Sequence, residues 1–340
     1  MTVVIAILIF GFLIFIHELG HYLTARMFNV GINEFALGMG PKIFSRTSKK
    51  TGTVYSLRLL PIGGYVSMVG EDEDSEDENA LNNKPVWQRM IIVAAGAFMN
   101  VLVGVLTVLI IVSSNKLNAT NIVSRFVENA NSEQCGLQVN DEIIKIGNQR
   151  VHTGRDMLEV IMFEGAEPND VTVIRNGEKV VIEDVVFGQI TENGMVFGQM
   201  DFGVYGEERS LKSIIKHTYY YSKSTVSIIW KSLIFLVTGK VGVEQMSGPI
   251  GVTSAIGDAA KMGIKNLLDM CALLALNLGI FNMLPFPALD GGRFAFMLYE
   301  LIFRKPVKRE IEGYIHFAGL CLLMLLMVFV GFNDIKNLFK

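Results

Sequence analysis

The chain has 340 residues, of which 51% are hydrophobic and 19% are charged, and its mean hydropathy is positive. This composition is too apolar for an ordinary soluble domain and predicts a protein that spans a membrane several times. The net charge is only −3 and the basic residues are scattered, which argues against a nucleic-acid partner. The three cysteines lie far apart, so they indicate neither a disulfide framework nor a cysteine zinc site.

Four apolar segments are long enough to cross a lipid bilayer, and we predict them to be transmembrane helices. They cover residues 2–28, 90–112, 267–284 and 314–331. A fifth apolar stretch, residues 211–237, is interrupted by lysines, which favours an amphipathic helix that is interfacial or packed on protein. The loops after the first and third helices are rich in lysine and arginine, so the positive-inside rule places both loops in the cytoplasm and both termini outside.

The first apolar segment contains the pattern H-E-x-x-H, formed by His17, Glu18 and His21. On a helix, His17 and His21 lie on one face, so both imidazoles can reach one Zn²⁺. Glu18 stands where zinc hydrolases carry their general base. Ionisable groups at membrane depth are costly and are by default functional, which favours a zinc site over two structural histidines in a core.

The loop after the first helix contains a β-rich run at residues 55–68, broken by Pro61 and by the pair Gly63-Gly64. This pattern predicts a hairpin-like or re-entrant strand, and a surface hairpin is the alternative. Residues 38–40 are a candidate for the same sheet. A strand at membrane depth can offer backbone partners to a substrate helix that has been unwound.

Residues 121–202, between the second and third helices, have a different texture. Short β-rich runs at residues 122–127, 142–146, 171–175 and 179–185 alternate with Gly and Asn turns around one helix-like run at residues 155–162. The stretch from Asn129 to Asn148, which contains Gly136-Leu137, resembles a PDZ domain, a fold that binds extended peptides by strand addition. A generic small β-domain is the alternative.

The third helix is followed by the motif N-x-x-P-x-P-x-L-D-G-G, which runs from Asn282 to Gly292. Two histidines leave a catalytic zinc one protein ligand short, and Asp290 of this motif is the best candidate. The alternative for Asp290 is a helix N-cap. With four spans, Asp290 and His17 lie on the same side of the membrane, which favours the ligand.

Taken together, these motifs and the PDZ-like domain resemble the site-2 protease family of intramembrane metalloproteases, and specifically its bacterial branch typified by the regulator-of-sigma-E protease. The resemblance implies that His17, His21 and Asp290 hold Zn²⁺ and that Glu18 is the general base. It also implies that Asn282 positions substrate or stabilises the developing oxyanion, for which a neutral amide is suited at membrane depth. An interhelical hydrogen bond is the alternative for Asn282.

The same resemblance implies that the strand containing Gly63, Gly64 and Tyr65 pairs with extended substrate beside the active site. Substrates would be single-span proteins of the bacterial plasma membrane that another protease has trimmed, such as anti-sigma factors or remnant signal peptides. The active site would face the cytoplasmic side, and the extracytoplasmic PDZ-like domain would bind peptide ends or exclude untrimmed substrates by size.

The predicted fold is therefore a multi-span α-helical membrane protein with four transmembrane helices, a membrane-associated β-hairpin and one PDZ-like α+β domain. Its parts are residues 1–113, the first two helices and the β-rich loop; 121–202, the PDZ-like domain; 203–265, an amphipathic helical segment; and 266–340, the last two helices. One competing function is a membrane scaffold with structural zinc, although such zinc usually has four protein ligands. Another is a zinc hydrolase that acts on lipids.

Overall fold

The structure, a computed structural model, describes residues 1–71, 75–192, 194–242 and 246–338. The chain forms two compact units. One contains residues 1–105 and 246–340, and the other contains residues 106–245.

The described residues form both α-helices and β-strands. The helices are α1 (Thr2–Met27), α2 (Val86–Ser114), α3 (Asn131–Gln134), α4 (Gly154–Glu164), α5 (Leu211–Val237), α6 (Pro249–Met262), α7 (Ile264–Asn282), α8 (Asp290–Phe303) and α9 (Arg309–Leu338). The strands are β1 (Ile32–Thr47), β2 (Val54–Met68), β3 (Leu117–Phe126), β4 (Glu142–Ile146), β5 (Gln149–Arg150), β6 (Asn169–Arg175), β7 (Glu178–Val185), β8 (Gly188–Glu192), β9 (Met195–Gln199) and β10 (Phe202–Glu208).

Four of the described helices, α1, α2, α7 and α9, are long and apolar enough to cross a membrane. Each coincides with one of the four segments predicted as spans, with ends that differ by a few residues. Helix α5 is not among these candidates. Its lysines keep it below the apolar content that a span requires, as the sequence predicts.

Small residues allow α2 to approach both α1 and α7 closely. A Cβ atom added to Gly20 of α1 would lie 2.4 Å from the carbonyl oxygen of Ala95 in α2. A Cβ atom added to Gly279 of α7 would lie 2.9 Å from the carbonyl oxygen of Ala97. Helix α2 is therefore in direct backbone contact with the two helices that carry His17 and Asn282.

Strands β1 and β2 pair along more than one edge, because residues 34–37 of β1 lie between residues 64–67 and residues 54–57 of β2. Residues 42–47 of β1 pair with residues 54–58 of β2. The predicted strand at residues 55–68 is confirmed as β2, and residues 38–40 lie in its partner β1. Aromatic rings fix this hairpin to α1, because Phe15 and Tyr22 of the helix pack against Phe35 of β1. The hydroxyl groups of Tyr22 and Tyr55 also share a hydrogen bond of 2.7 Å. The hairpin is thus held next to the helical turn that contains His21.

Helix α6, near the start of the second segment of the first unit, was not predicted as a separate element. It begins at Pro249 and packs against α1. The carboxylate of Asp334 in α9 accepts hydrogen bonds from the backbone N–H groups of Gly248, Ile250 and Gly251, at 3.0, 3.0 and 2.9 Å. A side chain from the last helix thereby satisfies N–H groups that the first turn of a helix leaves unpaired.

The second unit is built on an antiparallel sheet with strand order β10-β3-β4-β6-β7. Strands β3, β4, β6 and β7 and helix α4 correspond to the runs predicted within residues 121–202. Their inward side chains form a core that includes Val123, Ile143, Met157, Val171 and Val173, all 0% exposed. The sheet extends beyond residue 202, because β10 pairs with β3 along its length and brings Glu208 opposite Leu117.

Helix α5 packs against α4, in agreement with the protein-packed form of the amphipathic helix predicted at residues 211–237. Glu159 of α4 accepts hydrogen bonds from Lys231 and Ser227 of α5, both at 2.7 Å. The rings of Phe163 and Phe235 contact each other in the same interface. Polar and aromatic contacts together attach α5 to the second unit.

Candidate metal centre

Three predicted ligands converge in the first unit. The Nε2 atoms of His17 and His21 are 3.2 Å apart. The Oδ2 atom of Asp290 lies 3.1 Å from Nε2 of His17 and 3.3 Å from Nε2 of His21. Among the described residues, these three form the group of histidine, cysteine and acidic side chains that can hold a metal ion.

The spacing of the three donor atoms fits zinc. Nitrogen and oxygen ligands lie about 2.0–2.1 Å from zinc, so two ligands of a tetrahedral ion are about 3.3 Å apart. The three observed separations, 3.1, 3.2 and 3.3 Å, are close to this value. In addition, Oδ2 of Asp290 is buried and accepts no well-aligned hydrogen bond from the described residues. A buried carboxylate oxygen that faces two imidazole nitrogens is a suitable donor set for zinc.

His17 and His21 face α2 at Gly96. A Cβ atom at position 96 would lie 2.4 Å from Nε2 of His21 and 2.7 Å from Cε1 of His17. No side chain larger than hydrogen fits there without displacing one of these two imidazoles. The site therefore depends on a glycine that the sequence analysis did not single out.

His21 is held in the tautomer that a ligand needs. Its Nδ1 atom lies 2.8 Å from the carbonyl oxygen of Ile92, which can only accept, so Nδ1 carries the proton. The lone pair of Nε2 is then free and points towards Asp290 and His17. Such a second contact is typical of metal-ligating histidines, because it fixes both the tautomer and the ring orientation.

His17 has a corresponding contact through Asn100 of α2. Nδ1 of His17 lies 3.3 Å from the amide group of Asn100, which is fully buried. The oxygen of this amide has no hydrogen-bond partner among the described residues. Amide oxygen and nitrogen occupy nearly equivalent positions, so a half turn of the amide lets Asn100 accept the proton of His17 Nδ1. This arrangement satisfies the buried oxygen and leaves Nε2 of His17 free as a donor to the metal.

Asn100 yields a direct prediction for metal binding. Asn100→Leu, of similar volume, is expected to weaken zinc binding about 10- to 100-fold, the usual effect of removing an outer partner of a ligand. Asn100→Asp keeps an acceptor for His17 and is expected to stay within about threefold of the wild type, on the same reasoning. Competition with a chelator of known affinity measures both. Equal zinc affinity of the wild type and Asn100→Leu would contradict the role of Asn100.

Asp290 is the first residue of α8, and Leu289 is the N-cap. Asp290 therefore does not occupy the N-cap position that the alternative interpretation gives it. Positions 291 and 292 require glycine because the first turn of α8 packs closely against the preceding loop. A Cβ atom at Gly291 would lie 2.1 Å from the carbonyl oxygen of Leu284, and one at Gly292 would lie 2.5 Å from that of Phe286.

The other predicted site residues surround this centre to different degrees. Asn282 ends α7, and its amide nitrogen lies 3.4 Å from Nδ1 of His17. Glu18 is half-buried on α1, and β2 passes over it at Gly64, where an added Cβ atom would lie 3.2 Å from Cγ of Glu18. Gly63 has a φ of +84°, which favours glycine, and lies next to Met39 of β1.

Tyr65 is engaged within the hairpin. Its hydroxyl lies 2.5 Å from Arg58, whose guanidinium also binds Glu34 at 3.0 Å. Burial alone would raise the pKa of Glu34, but hydrogen bonds from Ser56, Lys42, Tyr65 and Arg58 outweigh it and lower the pKa to about 2. Glu34 therefore stays ionised at neutral pH and holds the Tyr65 end of β2 in a charged cluster.

Comparison with known proteins gives a consistent result. The sequence model of the family described as Peptidase family M50 matches residues 5–326 of this chain. The Regulator of sigma-W protease RasP of Bacillus subtilis is 32% identical to this chain, with 99% of each chain covered. Zinc metalloprotease RasP of Bacillus licheniformis is 30% identical with the same coverage, and a protein of Clostridium perfringens named as a zinc metalloprotease is 35% identical over 98% of each chain.

Proposed function

Since the chain belongs to peptidase family M50 and is a membrane zinc metalloprotease, we propose that it cleaves single-span membrane proteins that another protease has already trimmed. The observation that carries this proposal is the convergence of His17, His21 and Asp290 within 4.8 Å of one another. These residues would hold zinc, and one coordination position would remain open for the reaction. Three protein ligands with an open position are typical of catalytic rather than structural zinc, which disfavours the scaffold.

Bound zinc would polarise the scissile carbonyl as a Lewis acid and favour deprotonation of water at neutral pH. Glu18 follows His17 on α1 but is not one of the three converging donors. Its carboxylate would take the proton from the attacking water and deliver it to the departing amine nitrogen, so that the peptide bond breaks without a charged leaving group. His21, fixed by Ile92, and His17, fixed by Asn100, would keep their donor nitrogens in place throughout.

Asn282 would act on the substrate through its amide N–H. If Asn100 serves Nδ1 of His17, the amide of Asn282 is released from that contact and can donate to the oxygen of the scissile carbonyl. A neutral donor placed where negative charge develops is typical of an oxyanion site. The amide nitrogen of Asn282 lies 3.4 Å from Nδ1 of His17, and an interhelical hydrogen bond is therefore the alternative to this role.

Strand β2 would align the substrate. Its residues 64–67 pair with residues 34–37 of β1 along one edge and have no strand partner along the other among the described residues, and they pass Glu18 at Gly64. An extended substrate segment that adds to this sheet would exchange its helical hydrogen bonds for those of a strand. This favours a peptide substrate over a lipid, because lipid offers no backbone to pair.

The natural substrates would be proteins of the anti-sigma type or remnant signal peptides. One relative is named a protease that regulates sigma-W, which supports the first class. The membrane would be the bacterial plasma membrane, with both termini and residues 121–202 outside and the metal centre towards the cytoplasm. The lysine- and arginine-rich loops after the first and third helices support this orientation.

Cleavage of a trimmed, single-span model substrate by the purified full chain in lipid tests the proposal. We expect cleavage by the zinc-loaded protein, loss of cleavage after chelation and recovery when zinc is restored. Lipid hydrolysis in the same vesicles, measured by released fatty acid, should stay at background. Zinc-loaded protein that leaves every peptide bond of the substrate intact would contradict the protease, and zinc-dependent release of fatty acid would favour the lipid hydrolase.

The second unit would act as a filter that excludes untrimmed substrates, through a PDZ-like domain. Removal of residues 117–208 takes out the whole sheet, and a short linker can close the gap because Leu117 and Glu208 are paired neighbours. We expect the full chain to reject a substrate that retains its external domain and the shortened protein to cleave it. Unchanged discrimination, measured with both substrates side by side, would refute size exclusion.

A further inference from the structure

The loop that leads to Asp290 is held from outside by α9. His316 of α9 accepts a hydrogen bond through Nδ1 from the backbone N–H of Ala288, at 2.9 Å. Ala288 has a φ of +74°, a left-handed conformation that is costly for a residue other than glycine. It stands two residues before Asp290. A side chain from a different helix therefore supports a strained backbone position next to a proposed zinc ligand.

The hydrogen bonds of the loop explain why an outside acceptor is needed. The N–H groups of Met283, Leu284, Phe286 and Leu289 all bind carbonyl oxygens within the same stretch of chain. The two prolines have no N–H group. Ala288 is left, and an unpaired buried N–H group is expensive. Within this fully described loop, His316 supplies the acceptor that the loop's own carbonyl groups do not.

A second contact from α9 reaches the same turn. Gly319 lies one helical turn after His316 and therefore on the same face of α9. A Cβ atom at Gly319 would lie 2.4 Å from Cβ of Pro287 and 2.7 Å from its carbonyl oxygen. His316 and Gly319 thus contact two consecutive residues of the loop. His316 accepts a hydrogen bond from Ala288, and Gly319 packs closely against Pro287.

The surroundings of His316 keep its acceptor atom directed at the loop. Its ring lies against Phe296 of α8, with centroids 5.6 Å apart. Its Nε2 atom is 3.7 Å from a carboxylate oxygen of Glu312, one turn earlier in α9. Because Nδ1 accepts from Ala288, the proton of a neutral imidazole lies on Nε2, on the side of Glu312.

We propose that His316 is a positioning residue that sets Asp290 in register with His17 and His21, an inference that rests on the proposed function of these three as zinc ligands. The last helix then contributes to the metal centre without touching the metal. Neither the spacing of the H-E-x-x-H pattern nor the motif around Asp290 points to a histidine 26 residues further along the chain.

Zinc affinity of His316 variants tests this role independently of cleavage. His316→Phe keeps a ring but removes the acceptor, and we expect zinc to bind about 10- to 100-fold more weakly. His316→Asn places an amide oxygen near the position of Nδ1, and we expect it to recover most of that loss. Equal affinities of the wild type and His316→Phe in chelator competition would overturn the proposal, as would an equal loss in both variants.

A second pair of variants leaves His316 intact and guards against a folding defect. Gly319→Ala pushes against Pro287, and we expect weaker zinc binding. Gly313→Ala is the matched control in the same helix, since a Cβ atom there meets nothing within 4 Å. Thermal unfolding of the zinc-free proteins should be similar for both, whereas a merely structural role would lower the unfolding temperature without selective loss of zinc. A wild type that binds zinc but cleaves no peptide would contradict the proposed function and leave this inference standing.

Discussion

Glu18→Gln is expected to reduce peptide cleavage by about 10²- to 10⁴-fold, the range that a general base contributes, while zinc stays bound. The glutamine has the size and shape of the glutamate, so the half-buried site beside Gly64 is not disturbed. Glu18 is not among the three converging donors, and the metal should therefore bind with unchanged stoichiometry. Cleavage of the trimmed model substrate and zinc content are measured on the same preparation.

Glu310→Gln provides the control for this experiment, because Glu310 is an exposed residue in the first turn of α9. Wild-type cleavage by Glu18→Gln would exclude Glu18 as the base. If neither the wild type nor the variant cleaves the model substrate although both hold zinc, then either the zinc is structural or the protein does not recognise this substrate. The scaffold would then gain support over the protease.

The parts of the centre that could be predicted from sequence are those fixed by local geometry. His17 and His21 are four residues apart, so any helix places them on one face, and their partner Glu18 is adjacent. The four apolar spans and the alternating strands follow from composition and period in the same way. The prediction of Asp290 as a ligand needed one non-local argument, namely that its loop lies on the same side of the membrane as His17.

The supporting residues could not be predicted because their meaning depends on distant partners. Asn100 is 83 residues from His17, and within an apolar helix it is equally consistent with an interhelical hydrogen bond. Gly96 looks like any small residue in a membrane helix until the imidazoles are placed beside it. The contact between His316 and Ala288 requires both the turn of the loop and the packing of α9. A polar residue in a predicted span is the available signal, and it identifies Asn100 but not its partner.

In the second unit, too, local sequence predicts the individual elements but not how they pair. The turns and alternation predict strands β4, β6 and β7 almost to the residue. The pairing of β10 with β3 joins residues up to 91 positions apart, Leu117 and Glu208, and no local pattern specifies it. Helix α5 is amphipathic from its sequence, but its polar face has a specific partner in Glu159. Pattern defines the elements here, and long-range contacts define their assembly.

Gly96→Ala is expected to weaken zinc binding at least as strongly as removal of an outer partner of a ligand, about 10- to 100-fold or more. The added methyl carbon would lie 2.4 Å from Nε2 of His21, which is the proposed donor atom itself. A side chain can usually rotate away from such a close contact. Here His21 is held at its other nitrogen by Ile92, so the ring cannot turn away without losing that hydrogen bond.

The helix backbones cannot separate easily to relieve this overlap. Gly20 of α1 is packed against the carbonyl of Ala95, the residue before Gly96, so the two helices are already in contact at this level. Moving α2 outward would open a gap between tightly packed surfaces and sacrifice their dispersion contacts. The least costly response is a shift of the imidazole away from Asp290, which lengthens the separation between donors that zinc requires.

Gly11→Ala in α1 is the matched control, since a Cβ atom at that position meets nothing within 4 Å. Alanine favours a helix over glycine by about 1 kcal/mol, so this variant should bind zinc normally and be no less stable. Zinc affinity of both variants is measured by chelator competition on the zinc-free protein, with cleavage recorded at saturating zinc. If Gly96→Ala binds zinc as tightly as Gly11→Ala, then α2 does not confine the imidazoles. The three donors would in that case be positioned by α1 and the loop before α8 alone.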